Sequence, residues 1–237
     1  MLTPWRDGRS PLDRLRCALK ATETGGHLAA PPDPINVYHF THLRNLPGIV
    51  QDGLRSDASC RREGLTQVQV GSAGIRERRL QLPVNNVGPG GCVGDYVPWY
   101  FGPRSPMMFT LSRNNYEFQE GFDEVIYLVS SVPRIIALGG KWVASDRNAA
   151  LNLADFTDDE HDLPCHISWE VIGARYWTDF ADGADLRAAE FLVHEWVPWE
   201  AVEVVVTKTS ETCVAVEELI DGLHHSPPVI VRRGWYF

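Results

Sequence analysis

The sequence lacks the Cys-x-x-Cys spacing of redox and zinc motifs, and its five cysteines are scattered along 237 residues. An odd, scattered set argues against a disulfide framework and favours a reduced intracellular protein. The sequence also lacks an apolar run long enough to span a bilayer, and it does not open on the apolar segment of a signal peptide. These absences predict a cytoplasmic protein with no membrane segment.

Positive charge is scarce as well. The chain carries 22 Lys and Arg residues against 31 Asp and Glu, which gives a formal net charge of -9. Such a balance is not the overall electrostatic signature of a protein that binds duplex DNA. If the chain binds a polyanion, the contact must be a local basic groove, and we expect added salt to weaken it.

Several short catalytic motifs are missing. The glycine-rich stretch GPGGCVG, residues 88–94, matches neither a Walker loop nor a dinucleotide fingerprint, so it favours a flexible loop over a phosphate site. No GxSxG nucleophile elbow is present, which lowers the odds of a serine hydrolase. His161, Cys165 and His166 lie close together, but no second cluster stands at zinc-like spacing, and we predict no metal site.

The hydrophobic content of 44% and the charged content of 22% are ordinary for one large globular domain or for a domain with an appendage. Residues 10–22 predict a short helix, because Ser10 can cap it and Pro11 suits its first turn. The prolines that follow it, between positions 31 and 34, predict a linker. We therefore take residues 1–35 as an N-terminal appendage and residues 36–237 as the main domain.

The main domain shows consecutive strand patterns with few helices between them, which indicates an α+β fold with mixed sheets. The predicted strands cover 36–42, 106–112, 124–131, 134–140, 141–146, 189–197, 201–208 and 228–237. The predicted helices cover 43–54, with Gly53 at the C-terminal stop, 147–156 and 210–223. Residues 55–95 are rich in Gly, Arg and Ser, and we expect a loop there with one short helix at 75–80.

Two polar segments have the residue types of a ligand site. His39 and Thr41 share one face of a predicted strand, where they either offer a hydrogen-bonding edge to a cleft or are simply half-buried. Arg76, Arg78 and Arg79 lie within the single short segment IRERRLQLPV. An arginine fork can grip a pyrophosphate through two parallel hydrogen bonds, whereas a solvated helix face accounts for at least one of the three.

Residues 95–109, DYVPWYFGPRSPMMF, combine a row of aromatic side chains with prolines and one arginine, Arg104. Prolines fix the backbone around these residues. The segment therefore predicts either a corner of the core or a rigid platform on which a base can stack.

Glu190 stands directly before the apolar run of residues 191–193. A carboxylate that enters a half-buried strand is costly to desolvate unless a partner uses it. Glu190 is therefore either a strand-edge charge that faces solvent or a buried carboxylate with a chemical role, and this stretch alone leaves both alternatives open.

Four blocks occur in an order typical of one known family: YHFTHLRNLPGIVQDGL, GDYVPWYFGPRSPMM, RAAEFLVHEWVPWE and the terminal GWYF. Together they resemble the DarT family, the NAD-dependent DNA ADP-ribosyltransferase toxins of DarT–DarG toxin–antitoxin pairs. The resemblance covers about residues 36–237. It implies an ADP-ribosyltransferase-like fold, in which split mixed β-sheets with flanking helices surround a cleft that binds NAD as substrate.

The resemblance also implies roles for individual residues. The glutamate of the AEFLV block is catalytic in that family, and here it is Glu190; the catalytic arginine falls in the RERR segment, where we prefer Arg79 to Arg78. The implied sets are Glu190 and Arg79 for catalysis, His39, Thr41, Asn45, Gly53 and Arg79 for NAD, and Tyr96, Arg104 and Asn148 for nucleic acid. Asn148 departs from the family pattern, because several members carry His near the target base.

The implied reaction explains why a carboxylate is needed. Breaking the nicotinamide–ribose bond creates an oxocarbenium-like centre that a carboxylate stabilises, and a general base helps a protonated ring nitrogen to attack. The expected target is a base in single-stranded DNA, with thymine N3 first. Guanine, RNA, a protein target, and a non-catalytic module that binds NAD or nucleic acid remain alternatives. The implied partners are single-stranded DNA and a macrodomain antitoxin of the DarG type.

Overall fold

The computed structural model describes residues 29–65, 68–84, 87–113 and 121–237. The helix predicted at 10–22 lies outside these ranges. Residues 29–35 form no helix or strand, and Ile35 packs against the edge of the core. The first strand begins at Asn36, at the boundary predicted for the main domain, while the separate nature of residues 1–35 stays a prediction.

The described residues contain strands that match most of the apolar, β-branched runs of the sequence. They are β1 Asn36–His42, β2 Leu54–Arg55, β3 Tyr96–Tyr100, β4 Val125–Ser131, β5 Trp142–Asn148, β6 Phe156–Thr157, β7 Ala189–His194, β8 Trp196–Val197, β9 Val204–Thr207 and β10 Val229–Val231. Such residues favour strands because their branched or flat side chains pack well on a pleated surface.

Short helices cover the sheet and fill the connections. They are α1 Leu46–Asp52, α2 Asp57–Glu63, α3 Ala73–Arg79, α4 Pro106–Ser112, α5 Val132–Ala137, α6 Leu163–His166, α7 Trp169–Gly173, α8 Gly183–Arg187 and α9 Ser210–Ile220. Single 3-10 turns lie at Leu43–Asn45, Val93–Asp95, Phe122–Glu124, Trp177–Asp179, Trp199–Ala201 and Arg233–Trp235. In the described part of the chain, no helix has the length and apolar character needed to cross a membrane.

One eight-stranded sheet has the order β10-β9-β4-β1-β3-β7-β5-β6, and β2 pairs with β8 separately. The large sheet is mixed, because β10 runs parallel to β9 whereas the other pairs are antiparallel. Its centre is nearly split: β1 and β3 share the single partner pair Tyr38 and Tyr100, while β1 follows β4 along its whole length. The two halves diverge there, as the split-sheet prediction requires, and a cleft opens between them.

The main core lies where both halves of the sheet meet the helices. Trp99 on β3 and Phe191 on β7 are fully buried in one cluster with residues of α1, α5 and α9. The rings of Trp142 and Phe191 lie with their centroids 4.9 Å apart. This packing fixes β3 against β7, and therefore fixes the strand that carries Glu190.

Two predicted strands are helices. The prediction of a strand at 106–112 is wrong, because Ser105 caps α4 by accepting a hydrogen bond from the Met108 backbone N–H at 3.2 Å, and Pro106 suits the first helical turn. The prediction of a strand at 134–140 is wrong for a similar reason: Pro133 lies in the first turn of α5. Capping chemistry outweighs the strand propensity of the apolar side chains in both segments.

Two other predictions also differ from the structure. The helix predicted at 147–156 is absent, since β5 continues to Asn148 and the chain then turns into β6. Among the described residues between positions 55 and 95 there are two α-helices, α2 and α3, where one was predicted. Ser56 caps α2 by accepting the Ser59 backbone N–H at 3.1 Å, a signal that the arginine-rich composition of this region obscured.

The cysteines agree only in part with the expectation of a reduced set. Cys60, Cys92 and Cys213 are free thiols. Cys165 is disulfide-bonded, which departs from that expectation.

Candidate active site

A cleft of about 380 Å³ opens where the two halves of the sheet diverge. Its floor comes from β1, β3 and the adjoining ends of β5 and β7, and its walls come from residues 68–72, α3, α4 and α8. Each of these strands carries a polar side chain at the point where it borders the cleft. The cleft therefore collects charged and amide groups from segments that are distant in the chain.

Glu190 lies at the cleft end of β7, directly across from Tyr100 on β3. Its residue surface is only 1% exposed. Arg79 donates two parallel hydrogen bonds to it, from Nη1 to Oε1 and from Nη2 to Oε2, each 2.9 Å long. Glu190 is therefore a buried carboxylate with a charged partner, and the alternative of a strand-edge charge that faces solvent is wrong.

One further contact supports the Glu190 carboxylate. The backbone N–H of Ala149 donates to Oε1 at 3.2 Å. Burial by itself would lower the pKa of Arg79, but the charge and hydrogen bonds of Glu190 raise that pKa above its ordinary value. Arg79 and Glu190 therefore form a buried ion pair, in which each group offsets part of the desolvation cost of the other.

The three neighbouring arginines of α3 have different partners. Arg76 binds the carboxylate of Asp57 at 2.8 and 3.1 Å and also lines the cleft. Arg78 points away and donates to the side chain of Asn152 at 3.1 Å. Among the described residues, Arg79 is the arginine that the structure brings to Glu190, while two of the three, Arg76 and Arg79, reach the cleft.

His39 lines the cleft as a neutral imidazole. Its Nδ1 donates to the carbonyl of Pro98 at 2.7 Å, which bridges the gap between β1 and β3. Burial lowers the pKa of His39 to about 4. Because Nδ1 carries the hydrogen, Nε2 is an acceptor, and the ring can receive a hydroxyl or amide hydrogen from a ligand.

Thr41 and Asn45 line the same wall of the cleft. The Asn45 amide donates to Thr41 Oγ1 at 3.0 Å and to the carbonyl of Val68 at 2.8 Å, and its oxygen accepts the Val68 N–H at 2.7 Å. Asn45 thus holds the segment that forms the rim of the cleft. These three hydrogen bonds give Asn45 a structural task.

Gly53 is absent from the described lining of the cleft, although it was predicted to bind NAD. It ends α1 with φ of +77°, and a Cβ there would come within 2.0 Å of Nε1 of Trp196. Trp196 donates from that nitrogen to the carbonyl of Asp52 at 2.7 Å. The residue is glycine because of this close approach and its left-handed backbone.

The three predicted nucleic-acid residues lie in different places. Tyr96 is 1% exposed, donates to the carbonyl of Gly90 and is absent from the described lining of the cleft, and its contact with nucleic acid stays a prediction. Arg104 is half-buried outside the described cleft lining, with its guanidinium carbon 4.5 Å from the ring centre of Phe237. Asn148 lines the cleft beside Glu190, and its Oδ1 accepts the Ala150 N–H at 2.9 Å.

Some cleft residues carried no clear signal in the sequence. Asp57 lies in the first turn of a helix that was not predicted, and it anchors Arg76. Tyr100 was noted only as one of several aromatics; it lines the cleft, stacks on Phe40 with an interplanar angle of 3°, and has a pKa raised by burial and by Glu190. Its pairing with Glu190 across β3 and β7 follows from strand register.

In the ranges that the structure describes, no group of three or more His, Cys, Asp or Glu side chains is placed to hold a metal ion. The chemistry available in the cleft is that of a charged carboxylate, arginines, amides and a neutral imidazole. This set suits a substrate that carries phosphates and a reaction that develops positive charge.

Comparison with known proteins places this cleft in context. The family model described as DarT, ssDNA thymidine ADP-ribosyltransferase, matches residues 38–237. A DNA ADP-ribosyl transferase of Thermus aquaticus is 38% identical over 209 residues, which are 87% of this chain and 90% of that protein. Thermus sp. 2.9 DarT in complex with ADP-ribosylated ssDNA is similar in structure, with a TM-score of 0.83 and 31% identity over 89% of this chain and 100% of that one.

A second solved structure, Thermus sp. 2.9 DarT in complex with NAD+, covers 87% of this chain and 100% of its own, with a TM-score of 0.77 and 30% identity. These similarities confirm the α+β fold of the ADP-ribosyltransferase type, with its mixed, nearly split sheet. They extend over the whole region in which the sequence blocks resemble the family.

Proposed function

The chain belongs to the DarT family of ssDNA thymidine ADP-ribosyltransferases, and from this premise we propose that Glu190 and Arg79 form its reacting centre. It is an NAD-dependent DNA ADP-ribosyltransferase that uses NAD as substrate. The observation that carries the assignment of the centre is the buried pair of 2.9 Å hydrogen bonds between Arg79 and Glu190 at the end of the cleft.

The reaction exchanges one bond at the ribose C1′ atom for another. The bond from C1′ to nicotinamide breaks, nicotinamide leaves as a neutral base, and the thymine N3 atom forms the new bond to C1′. The proton of N3 passes to the Glu190 carboxylate, which also stabilises the positive charge that develops on the ribose. A single carboxylate can serve both purposes because it lies in the cleft, where Arg79 holds both of its oxygens in place.

Arg79 has two tasks in this proposal. In the free protein it orients Glu190 through its paired hydrogen bonds. With substrates in the cleft it contacts the NAD phosphates or the charge on the target side, because a guanidinium binds such groups through parallel N–H donors.

The walls of the cleft suggest which side takes which substrate. His39 and Thr41 lie together on β1 and, with the rim held by Asn45, supply hydrogen-bonding groups on the NAD side. Asn148 lies at the end of β5 beside Glu190, on the proposed side of the target base. Its amide offers both a donor and an acceptor, and its NH2 group can pair with a thymine carbonyl.

Single-stranded DNA is the form in which thymine N3 is accessible. A duplex hides this nitrogen within the Watson–Crick pair, and an enzyme that acts on it must otherwise supply the free energy of unpairing. Deprotonation of N3 leaves an anion delocalised over two carbonyl groups, which can attack C1′. Guanine would present a different edge with an amino group, so the residue types of the cleft favour thymine only through their agreement with the family.

The proposal includes a toxin role and a macrodomain antitoxin of the DarG type as partner. Family membership alone supports this part. It is tested by incubating an ADP-ribosylated oligonucleotide with a macrodomain protein encoded beside this chain. Release of ADP-ribose would support the pairing, and an adduct that survives would argue against it.

The decisive experiment incubates the protein with labelled NAD and oligonucleotides that are single-stranded, duplex or free of thymine, and maps the adduct by mass spectrometry. We expect one ADP-ribose on thymine in single strands, little on the matched duplex and none on thymine-free strands. Adducts on thymine-free strands would refute thymine as the target base but would still support an ADP-ribosyltransferase. Glu190→Gln serves as the matched inactive control.

A further inference from the structure

Strand β5 is irregular directly opposite Glu190. The flanking partner pairs with β7 are Ala144–Phe191 and Asn148–Ala189. Between these pairs, the three residues 145–147 of β5 face the single residue Glu190, so β5 carries two extra residues. Bulges of this kind bend a strand, re-aim its side chains and occur frequently beside active sites.

The hydroxyl of Ser145 takes the place of the backbone bond that the bulge removes. The backbone N–H of Glu190 donates to Ser145 Oγ at 3.2 Å, and the same hydroxyl donates to the carbonyl of Arg147 at 2.7 Å. Ser145 is 0% exposed, so bulk water does not reach these groups. Buried backbone groups need such partners, and one hydroxyl satisfies both sides of the bulge.

The bulge also positions the residues directly after it. Asn148 lines the cleft, and the Ala149 backbone N–H donates to Glu190 Oε1 at 3.2 Å. The main chain of Glu190 and its carboxylate are therefore both tied to the same short stretch of β5. Ser145 is at the start of that stretch and is absent from the described lining of the cleft.

We propose that Ser145 is a positioning residue for ADP-ribose transfer: its hydroxyl closes the β5 bulge and so places the Glu190 carboxylate and the Ala149 N–H at the reacting ribose. The proposal rests on the catalytic role proposed above for Glu190. Ser145 acts through these two groups and makes no contact with either substrate, so its effect falls on the chemical step and not on the binding of NAD.

The test compares three variants of Ser145 by kcat, by KM for NAD with a single-stranded oligonucleotide, and by melting temperature. Ser145→Ala should lower kcat about ten- to a hundredfold, because a displacement of roughly 1 Å at a reacting group can cost that much, and should leave KM for NAD within about twofold. Ser145→Thr retains the hydroxyl and should restore most of kcat. Ser145→Cys has nearly the same shape but hydrogen-bonds weakly, and should resemble the alanine variant.

Ser130→Ala is the matched control. Ser130 is a buried serine of β4, in the same sheet, and its hydroxyl donates to the carbonyl of Ala201 at 2.7 Å. Its loss should lower the melting temperature in a similar way while kcat stays at the wild-type value. A kcat loss in Ser130→Ala as large as that in Ser145→Ala would overturn the proposal, because it would make the effect one of general stability.

The remaining outcomes are equally clear. An unchanged kcat in Ser145→Ala, or a Ser145→Thr variant as slow as Ser145→Ala at equal melting temperature, would also overturn the proposal. If Ser145→Ala does not fold, Ser145→Thr and Ser145→Cys test the proposal instead. Equal kcat values in these two variants would overturn the positioning role of Ser145, and a lower kcat in Ser145→Cys would support it. An active Glu190→Gln enzyme would contradict the proposed reacting centre. If Glu190→Gln is inactive and Ser145→Ala is fully active, only the inference about Ser145 is contradicted.

Discussion

Arg79 and Arg187 are both buried arginines, with 9% and 6% of their surface exposed, but their environments differ. Arg79 pairs with the Glu190 carboxylate at an open cleft. Arg187 donates to backbone carbonyls only; these belong to Val171, Ile172, Ala174 and Pro103. Burial lowers the pKa of Arg187, with a further contribution from nearby Arg104, while Glu190 raises the pKa of Arg79.

The difference separates a structural arginine from a functional one. Backbone carbonyls accept hydrogen bonds from both terminal nitrogens of Arg187 and fasten the end of α7 to the turn after β3, where the negative end of a helix favours a cation. A carboxylate partner does more, because it neutralises the charge and can itself take a proton. Burial of a charge is thus no sign of catalysis until the chemistry of its partner and its access to a ligand are known.

The largest expected effect is that of Glu190→Gln, which keeps the shape of the partner of Arg79 and removes its charge and basicity. Transfer should fall by about a hundredfold or more, because charge stabilisation of the transition state is lost. NAD affinity, measured by calorimetry, should change little. Transfer at a rate near that of the wild type would mean that Glu190 is structural, like the partners of Arg187.

Arg79→Ala should be next. It leaves the Glu190 carboxylate buried without its partner, and we expect turnover to fall by about tenfold or more. Arg76→Ala and Arg78→Ala are the matched controls on the same helix, and both should lose less in steady-state kinetics. Equal losses for all three would indicate a diffuse basic surface rather than one arginine at the reacting centre.

Arg187→Met should act on stability instead of chemistry. The change leaves carbonyls at the end of α7 without their donor, and the free energy of unfolding should fall by about 3 kcal/mol in urea denaturation. Turnover per folded molecule should stay near that of the wild type. A turnover loss larger than the unfolded fraction explains would erase the distinction between the two arginines.

Arg104→Ala should have the smallest effect. Arg104 lies near Arg187 but is half-buried and outside the described cleft lining, so DNA contact there is a phosphate contact at most. Oligonucleotide affinity should fall a few-fold, and its salt dependence should become shallower by about one phosphate contact. Arg134→Ala is the control, because Arg134 is a half-buried arginine on α5 that donates to the Glu200 carbonyl. Unchanged oligonucleotide affinity in Arg104→Ala would indicate that residues 95–109 form a corner of the core rather than a platform for a base.

Sequence patterns succeeded where local chemistry is enough. The strand β4 and the helix α9 follow from runs of apolar residues with the matching period, and the end of α1 follows from Gly53. They failed at α4 and α5, where a capping serine or a proline in the first turn overrides the strand propensity of apolar side chains. They also failed at residues 147–156, where β5 continues to Asn148 and the chain then turns into β6.

The sequence by itself determined the α+β class, the four ordered blocks that resemble the family, and the candidacy of Glu190 and the arginine segment, because each depends on residues that are close in the chain. Only the tertiary structure decided that Arg79 meets Glu190 across 111 residues, that the Tyr96 ring is buried, and that Ser145 closes a bulge behind the carboxylate. Those contacts depend on strand register and on how the two halves of the sheet diverge. A shift of one residue in a strand turns its side chains to the other face, and the period of the sequence alone does not specify which strands become neighbours.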